Sequence, residues 1–155
     1  MTKIAKFFAL PAEQKKLILS AAILLPIADV SLRIFGYRKT QQALTHIIGN
    51  QKKQTPPDTE QFTQAQQVAY CVRNAAQNGP YRSTCLRESL VTWWLLQRKG
   101  ISTILKIGVA KENGDFKAHA WVEMSGIPII DAESTQVTFT SIYHASLMQV
   151  KDYKL

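Results

Sequence analysis

The chain has 155 residues, 46% hydrophobic and 19% charged, a balance that fits one modest globular domain or a small domain with an N-terminal appendage. Two cysteines exclude a disulfide framework, and their spacing matches no zinc pattern, so a reducing compartment would leave both as thiols. The net charge of +8 comes from scattered basic residues that do not alternate with aromatics, which argues against nucleic-acid binding and fits a solvated surface or attraction to an acidic peptide, an acidic partner or a membrane surface.

Residues 17–28, LILSAAILLPIA, are the most apolar stretch. The run is too short to span a bilayer, and Asp29 and Arg33 stop it. Its late start and the lack of a small-x-small cleavage site argue against a signal peptide. The pattern predicts one helix over 12–35, kinked or interrupted near Pro26 and stopped by Gly36. A second helix over 38–48 ends at Gly49-Asn50. The segment QKKQTPPDTEQ, with Pro56-Pro57 and no apolar residue, is the best linker in the chain. It divides an N-terminal helical region, 1–55, from a core, 56–155.

Residues 61–77 carry Phe62, Ala65, Ala69, Val72 and Ala76 on one helical stripe, ended by Asn78-Gly79-Pro80. The next helix starts near Cys85, with Thr84 as candidate N-cap, and runs to Lys99 before Gly100. Leu86, Leu90, Trp93 and Trp94 form its buried face. The period then changes to extended. Residues 103–110 alternate as a strand, Asn113-Gly114 signals a two-residue hairpin, and 117–124 and 127–131 read as further strands. The tail, 136–150, fits strand or helix equally.

Cys85, His119 and Asp131 are the residues with chemical potential. A cysteine at the first helical position meets backbone N–H groups and a dipole that favour a thiolate and offer an oxyanion site. If Asn113-Gly114 is the turn, Gly108 lies opposite His119 and leaves room beside the imidazole. A three-residue loop, Met124-Ser125-Gly126, would pair Glu123 with Ile127, Trp121 with Ile129 and His119 with Asp131. A two-residue Ser125-Gly126 turn would put Asp131 on the opposite face, so the triad reading favours the three-residue loop. The expected roles are attack by Cys85, proton transfer by His119 and orientation of the imidazole by Asp131. Each residue alone has a bland reading, as core cysteine, strand histidine or turn aspartate; the ordered set favours catalysis. Cys71, inside a helix, reads as packing, and His46 and His144 have no partner pattern. Trp93 and Trp94 read as core, with a site wall as the alternative for one of them, while Trp121 shares a face with His119 and either shields it or is simply core.

At CLRESLVTWWLLQRKGI, KIGV and AHAWVEMSGIPIID, and again at SLRIFGYR, the chain resembles the stand-alone leader peptidases of lasso-peptide biosynthesis, the protease half of a split B-type maturation protein within the transglutaminase-like superfamily. The resemblance is strongest over 80–133. It implies an α+β fold in which N-terminal helices accompany a transglutaminase-like, papain-like core, with a catalytic helix packed on an antiparallel sheet. It carries the family's cysteine, histidine and aspartate onto Cys85, His119 and Asp131. It further implies a cytoplasmic bacterial cysteine peptidase with no cofactor and no metal. The substrate would be a ribosomally made precursor, whose leader a separate recognition protein captures, and an ATP-using cyclase would close the ring. Glu88 stands where that family often has a basic or small residue, and Ala110 where arginine is frequent. The N-terminal 55 residues lack strand alternation, so leader recognition is expected in trans. The apolar helix is expected to be a scaffold, with a docking surface as the alternative, and membrane association is not expected. Two rival readings remain: an acyl-transferase of transglutaminase type on the same triad, and a non-catalytic maturation scaffold.

Overall fold

Three apolar helical stripes and a set of alternating strands need a common core, and the chain builds one. A computed structural model describes residues 8–48, 58–79, 84–112, 115–130 and 140–145. Among them the order is α1 (Ala12–Ile48), α2 (Thr59–Asn78), α3 (Cys85–Arg98), β1 (Ile104–Glu112), β2 (Asp115–Met124), β3 (Ile127–Pro128) and β4 (Thr140–Ala145). The fold is α+β, with three helices packed on a small antiparallel sheet of order β3-β2-β1-β4.

α1 keeps helical backbone through Pro26, and its break falls at Gly36 (φ 72, ψ 173). The proline frees the Ala22 carbonyl, which belongs to an exposed residue and can be hydrated, so the helix tolerates it. Gly36 takes a left-handed φ that other residues resist, and Thr40 Oγ1 donates to its carbonyl at 2.8 Å where the second limb begins. The expected stop at Gly36 is thus a break between two limbs.

α2 is capped by Asp58, whose carboxylate accepts from the Gln61 N–H at 2.7 Å. It buries Ala65, Val68, Ala69, Val72, Ala75 and Ala76. α3 ends in a Schellman pair: Ile101 N–H donates to the Leu96 carbonyl and Gly100 N–H to that of Gln97, both at 3.0 Å, with Gly100 at φ 77. That closure turns the chain straight into β1.

The core joins Ala21, Leu25 and Ala28 of α1 to the α2 stripe, to Leu90, Trp93 and Leu96 of α3, and to Leu105, Val122 and Met124 of the sheet. Each large side chain buried there contributes about 1.5–3 kcal/mol. An ion pair adds direction to this packing. Asp29 Oδ1 on α1 accepts from Arg33 Nε at 2.9 Å and from Arg87 Nε of α3 at 3.2 Å. The Asp29 and Arg87 side chains are only 19% and 15% exposed, so water screens their contact less than it screens a surface pair.

The β1–β2 register is the expected one: Gly108 pairs with His119 and Glu112 with Asp115. Asn113 and Gly114 lie outside the described residues, as does Asp131. The β2–β3 register differs from the expectation. Met124 pairs with Ile127 and Glu123 with Pro128, so the turn is the two-residue Ser125-Gly126. Both turn residues have positive φ, 52 and 82, the arrangement whose twist matches that of the flanking strands. The strand expected over 127–131 is Ile127–Pro128, extended by an Ile129 N–H donation to the Val122 carbonyl at 3.0 Å. A strand pairing of His119 with Asp131 therefore does not follow from the register. In the tail, β4 resolves the ambiguity of residues 140–145 in favour of strand.

Asp29→Ala should lower stability by about 1–3 kcal/mol, because it leaves a partly buried guanidinium without its carboxylate. Glu13→Ala, which removes a pair whose partners are about three-quarters exposed, should leave the denaturation midpoint unchanged. Urea titration of both variants compares them directly.

Candidate active site

Thr84 is the N-cap residue of α3 by backbone geometry (φ −107, ψ 157), and Cys85 is the first helical residue. The Thr84 side chain makes no cap hydrogen bond, and the first helical bond runs from the Glu88 N–H to the Thr84 carbonyl at 3.1 Å. The hydroxyl of the cap residue thus leaves the first-turn amides of α3 to other acceptors, a geometry suited to an anion beside the Cys85 sulfur.

One turn further on, Ser89 is buried and its hydroxyl donates to the Ala120 carbonyl of β2 at 2.8 Å. Carbonyls two residues apart on a strand point to the same edge. Val122 uses that edge to accept from Ile129; Ala120 lies just past the end of β3, and Ser89 takes the place of a strand partner. This bond holds the start of α3 against β2 beside His119.

His119 stacks on Trp121, with ring centroids 6.0 Å apart and planes 14° from parallel. The Trp121 indole N–H donates to Glu123 Oε1 at 2.7 Å, and Glu123 Oε2 meets Lys106 Nζ at 2.7 Å. Glu123 is buried, so both of its oxygens need these partners. Side chains two apart share a face, and Lys106 stands opposite Trp121 in the register, so the row 119, 121, 123 is braced from β1. Gly108, opposite His119, pairs on its other side with Ser141, and the β1–β4 ladder shifts register between Ile107 and Gly108. Such an irregularity re-aims a strand locally, here beside the histidine.

Cys85 and His119 line one cleft of about 70 Å³, together with Arg73, Glu88, Trp121 and Ile130. The structure thus brings together two of the three residues expected from sequence, and the third, Asp131, lies outside the described residues. Cys71 is buried in α2, and burial pushes its thiol above the ordinary value of 9.0, which keeps it protonated and inert. Trp93 is core; Trp121 forms the aromatic wall of the cleft. His46 sits in the last turn of α1, away from the cleft, and His144 is on β4. Sequence reasoning missed Ser89, Thr92 and Arg73 as cleft residues. Ser89 carried a signal, since it is four residues from Cys85 and so on the same helix face. Arg73 carried none, because only the packing of α2 against α3 brings it there. Among the described residues no group of three or more His, Cys, Asp or Glu side chains could hold a metal ion.

A free thiol and an imidazole in one cleft, with first-turn amides beside the sulfur, are the parts that acyl transfer through a thioester requires. The fold and this site define a class of cysteine-helix, histidine-strand proteins. The chain belongs to the transglutaminase-like superfamily, whose family model matches residues 29–144. That family is compatible with cysteine-peptidase and acyl-transfer activity. Comparison with curated proteins and with solved structures gives no match.

Ser89→Ala should cost about 1–3 kcal/mol, since it strands the Ala120 carbonyl, and should slow any Cys85-dependent reaction by loosening the contact between α3 and β2. Thermal unfolding and thiol-alkylation rates measure the two effects. Under native conditions a thiol reagent should modify Cys85 and spare Cys71, which should react only after unfolding; peptide mapping of the labelled protein reads this.

Proposed function

We propose that this chain is a cysteine endopeptidase that cuts the leader from a ribosomally made lasso-peptide precursor. The observation that carries the reading is the shared cleft of Cys85 and His119, a helix-start thiol beside a braced strand imidazole. Membership of the transglutaminase-like superfamily supports the chemistry, and the likeness of CLRESL and AHAWVE to the lasso leader peptidases supports the substrate.

In this reading His119 takes the thiol proton of Cys85 as sulfur attacks the scissile carbonyl carbon. The first-turn amides of α3 hold the oxyanion. The C–N bond breaks, the imidazolium gives its proton to the leaving amine, and the acyl group stays on sulfur as a thioester. A water, deprotonated by His119, then attacks the thioester, and the carboxylate leaves as the thiol is restored. Asp131, which follows the cleft-lining Ile130 in the chain, is the proposed orienting carboxylate. Arg73 and Glu88 line the same cleft, on the α2 and α3 sides. A separate leader-recognition protein and an ATP-using cyclase are the proposed partners, and the cytoplasm is the proposed site of action.

Incubation of the protein with precursor and recognition protein should release a leader that ends in a free carboxylate, detected by mass. An added amine that captures the leader would instead mark an acyl-transferase. Cys85→Ala should abolish processing while keeping the thermal transition, and wild-type turnover by that variant would sink the mechanism.

A further inference from the structure

α1 is apolar on two opposite faces, and the fold uses only one of them. Ala21, Leu25 and Ala28 enter the core. On the other side Leu19, Ile23, Ile27, Val30 and Ile34 are each more than half exposed. Their spacing of three and four residues puts them in one line about 22 Å long. The stripe holds no polar residue, whereas a protein-binding centre is usually built on aromatic, methionine or arginine anchors. The charges collect at its two ends. Lys15 and Lys16 precede it, and Arg33, Arg38 and Lys39 close it, against Glu13 and Asp29 as the only acids between residues 12 and 48. Glu13 pairs with Lys16, and Asp29 is taken by Arg33 and Arg87.

From this geometry we infer that the exposed face of α1 is a docking surface for an anionic lipid bilayer, on which the helix lies in the plane of the headgroups. An aliphatic stripe with cationic ends is the pattern of an interfacial helix on such a surface. A second copy fits less well, since any two-fold pairing of the stripes brings cationic ends together, whether parallel or antiparallel. α1 is long and apolar enough to cross a membrane. Crossing would strip Ala21, Leu25 and Ala28 from the core and break the Asp29–Arg87 pair, whereas lying flat keeps both. The same pair ties α1 to the first turn of α3, two residues from Cys85, so a surface that holds α1 also holds the cleft. The sequence argued against a spanning segment or signal peptide, and membrane association was not expected; the inference proposes interfacial docking instead, independently of the peptidase reading.

The test is pelleting of the full chain with sucrose-loaded vesicles of mixed phosphatidylglycerol and phosphatidylcholine, against pure phosphatidylcholine. Binding should need the anionic lipid and weaken with salt. I23E/I27E should lower partitioning about a hundredfold or more, with an unchanged melting temperature and unchanged hydrolysis of a dissolved substrate. K15Q/K16Q should lower it about tenfold, on anionic vesicles only. Failure of the wild-type chain to pellet with anionic vesicles would overturn the inference, as would equal pelleting of I23E/I27E. A wild-type dimer that I23E/I27E dissolves, seen by sedimentation velocity without vesicle binding, would assign the stripe to self-association and overturn it equally.

Discussion

The hydrogen bond from Ser89 to the Ala120 carbonyl decides where α3 meets the sheet, and with it where Cys85 meets His119. β3 is too short to pair all of β2, so the edge of β2 past Val122 presents a carbonyl that needs a donor. α3 supplies one from its second turn. That single contact fixes the start of the helix against the strand one residue from His119, and Cys85 lies one turn back along the same face. A longer β3 would have filled that edge and kept the helix away. β3 itself spans only Ile127–Pro128, extended by one bond from the Ile129 N–H to the Val122 carbonyl.

α3 is held at three levels, each by a different kind of force. Leu90, Trp93 and Leu96 give it most of its energy through burial. Ser89 and Arg87 give it direction, one toward the sheet and one toward α1. The Schellman closure at Gly100 fixes its far end. With position secured elsewhere, the N-terminus does not need a side-chain cap from Thr84. The histidine is held by a parallel logic. Its ring stacks on Trp121, whose indole is tied to a buried carboxylate, and that carboxylate is tied to a lysine on the neighbouring strand. A buried charge is costly unless paired, so the row behaves as one rigid unit.

α1 connects this machinery to the outside. One face completes the core and the opposite face remains apolar in water, a condition that a free domain does not gain from. One ion pair joins α1 to α3, so the position of the cleft and the position of the exposed stripe are set together.

Local patterns were legible in the residues themselves. Helix ends at Gly79 and Gly100, the helix start at Cys85 and the pairing of Gly108 with His119 all follow from short-range rules of capping and turn geometry, whereas the cap at Asp58 was read as part of the linker. The break at Gly36 follows from the same rules, whereas continuation through Pro26 depended on its freed carbonyl facing solvent. The β2–β3 register was not legible, because loops of two and three residues both suit Met124-Ser125-Gly126, and the twist of the assembled strands chose between them. The amino-acid sequence alone thus determined which residues carry the thiol and the imidazole, since their backbone settings are local. Only the tertiary structure decided that they share a cleft, that Ser89 and Arg73 belong beside them, and that one apolar face of α1 remains uncovered. Those facts depend on contacts between residues far apart in the chain, which no local pattern encodes.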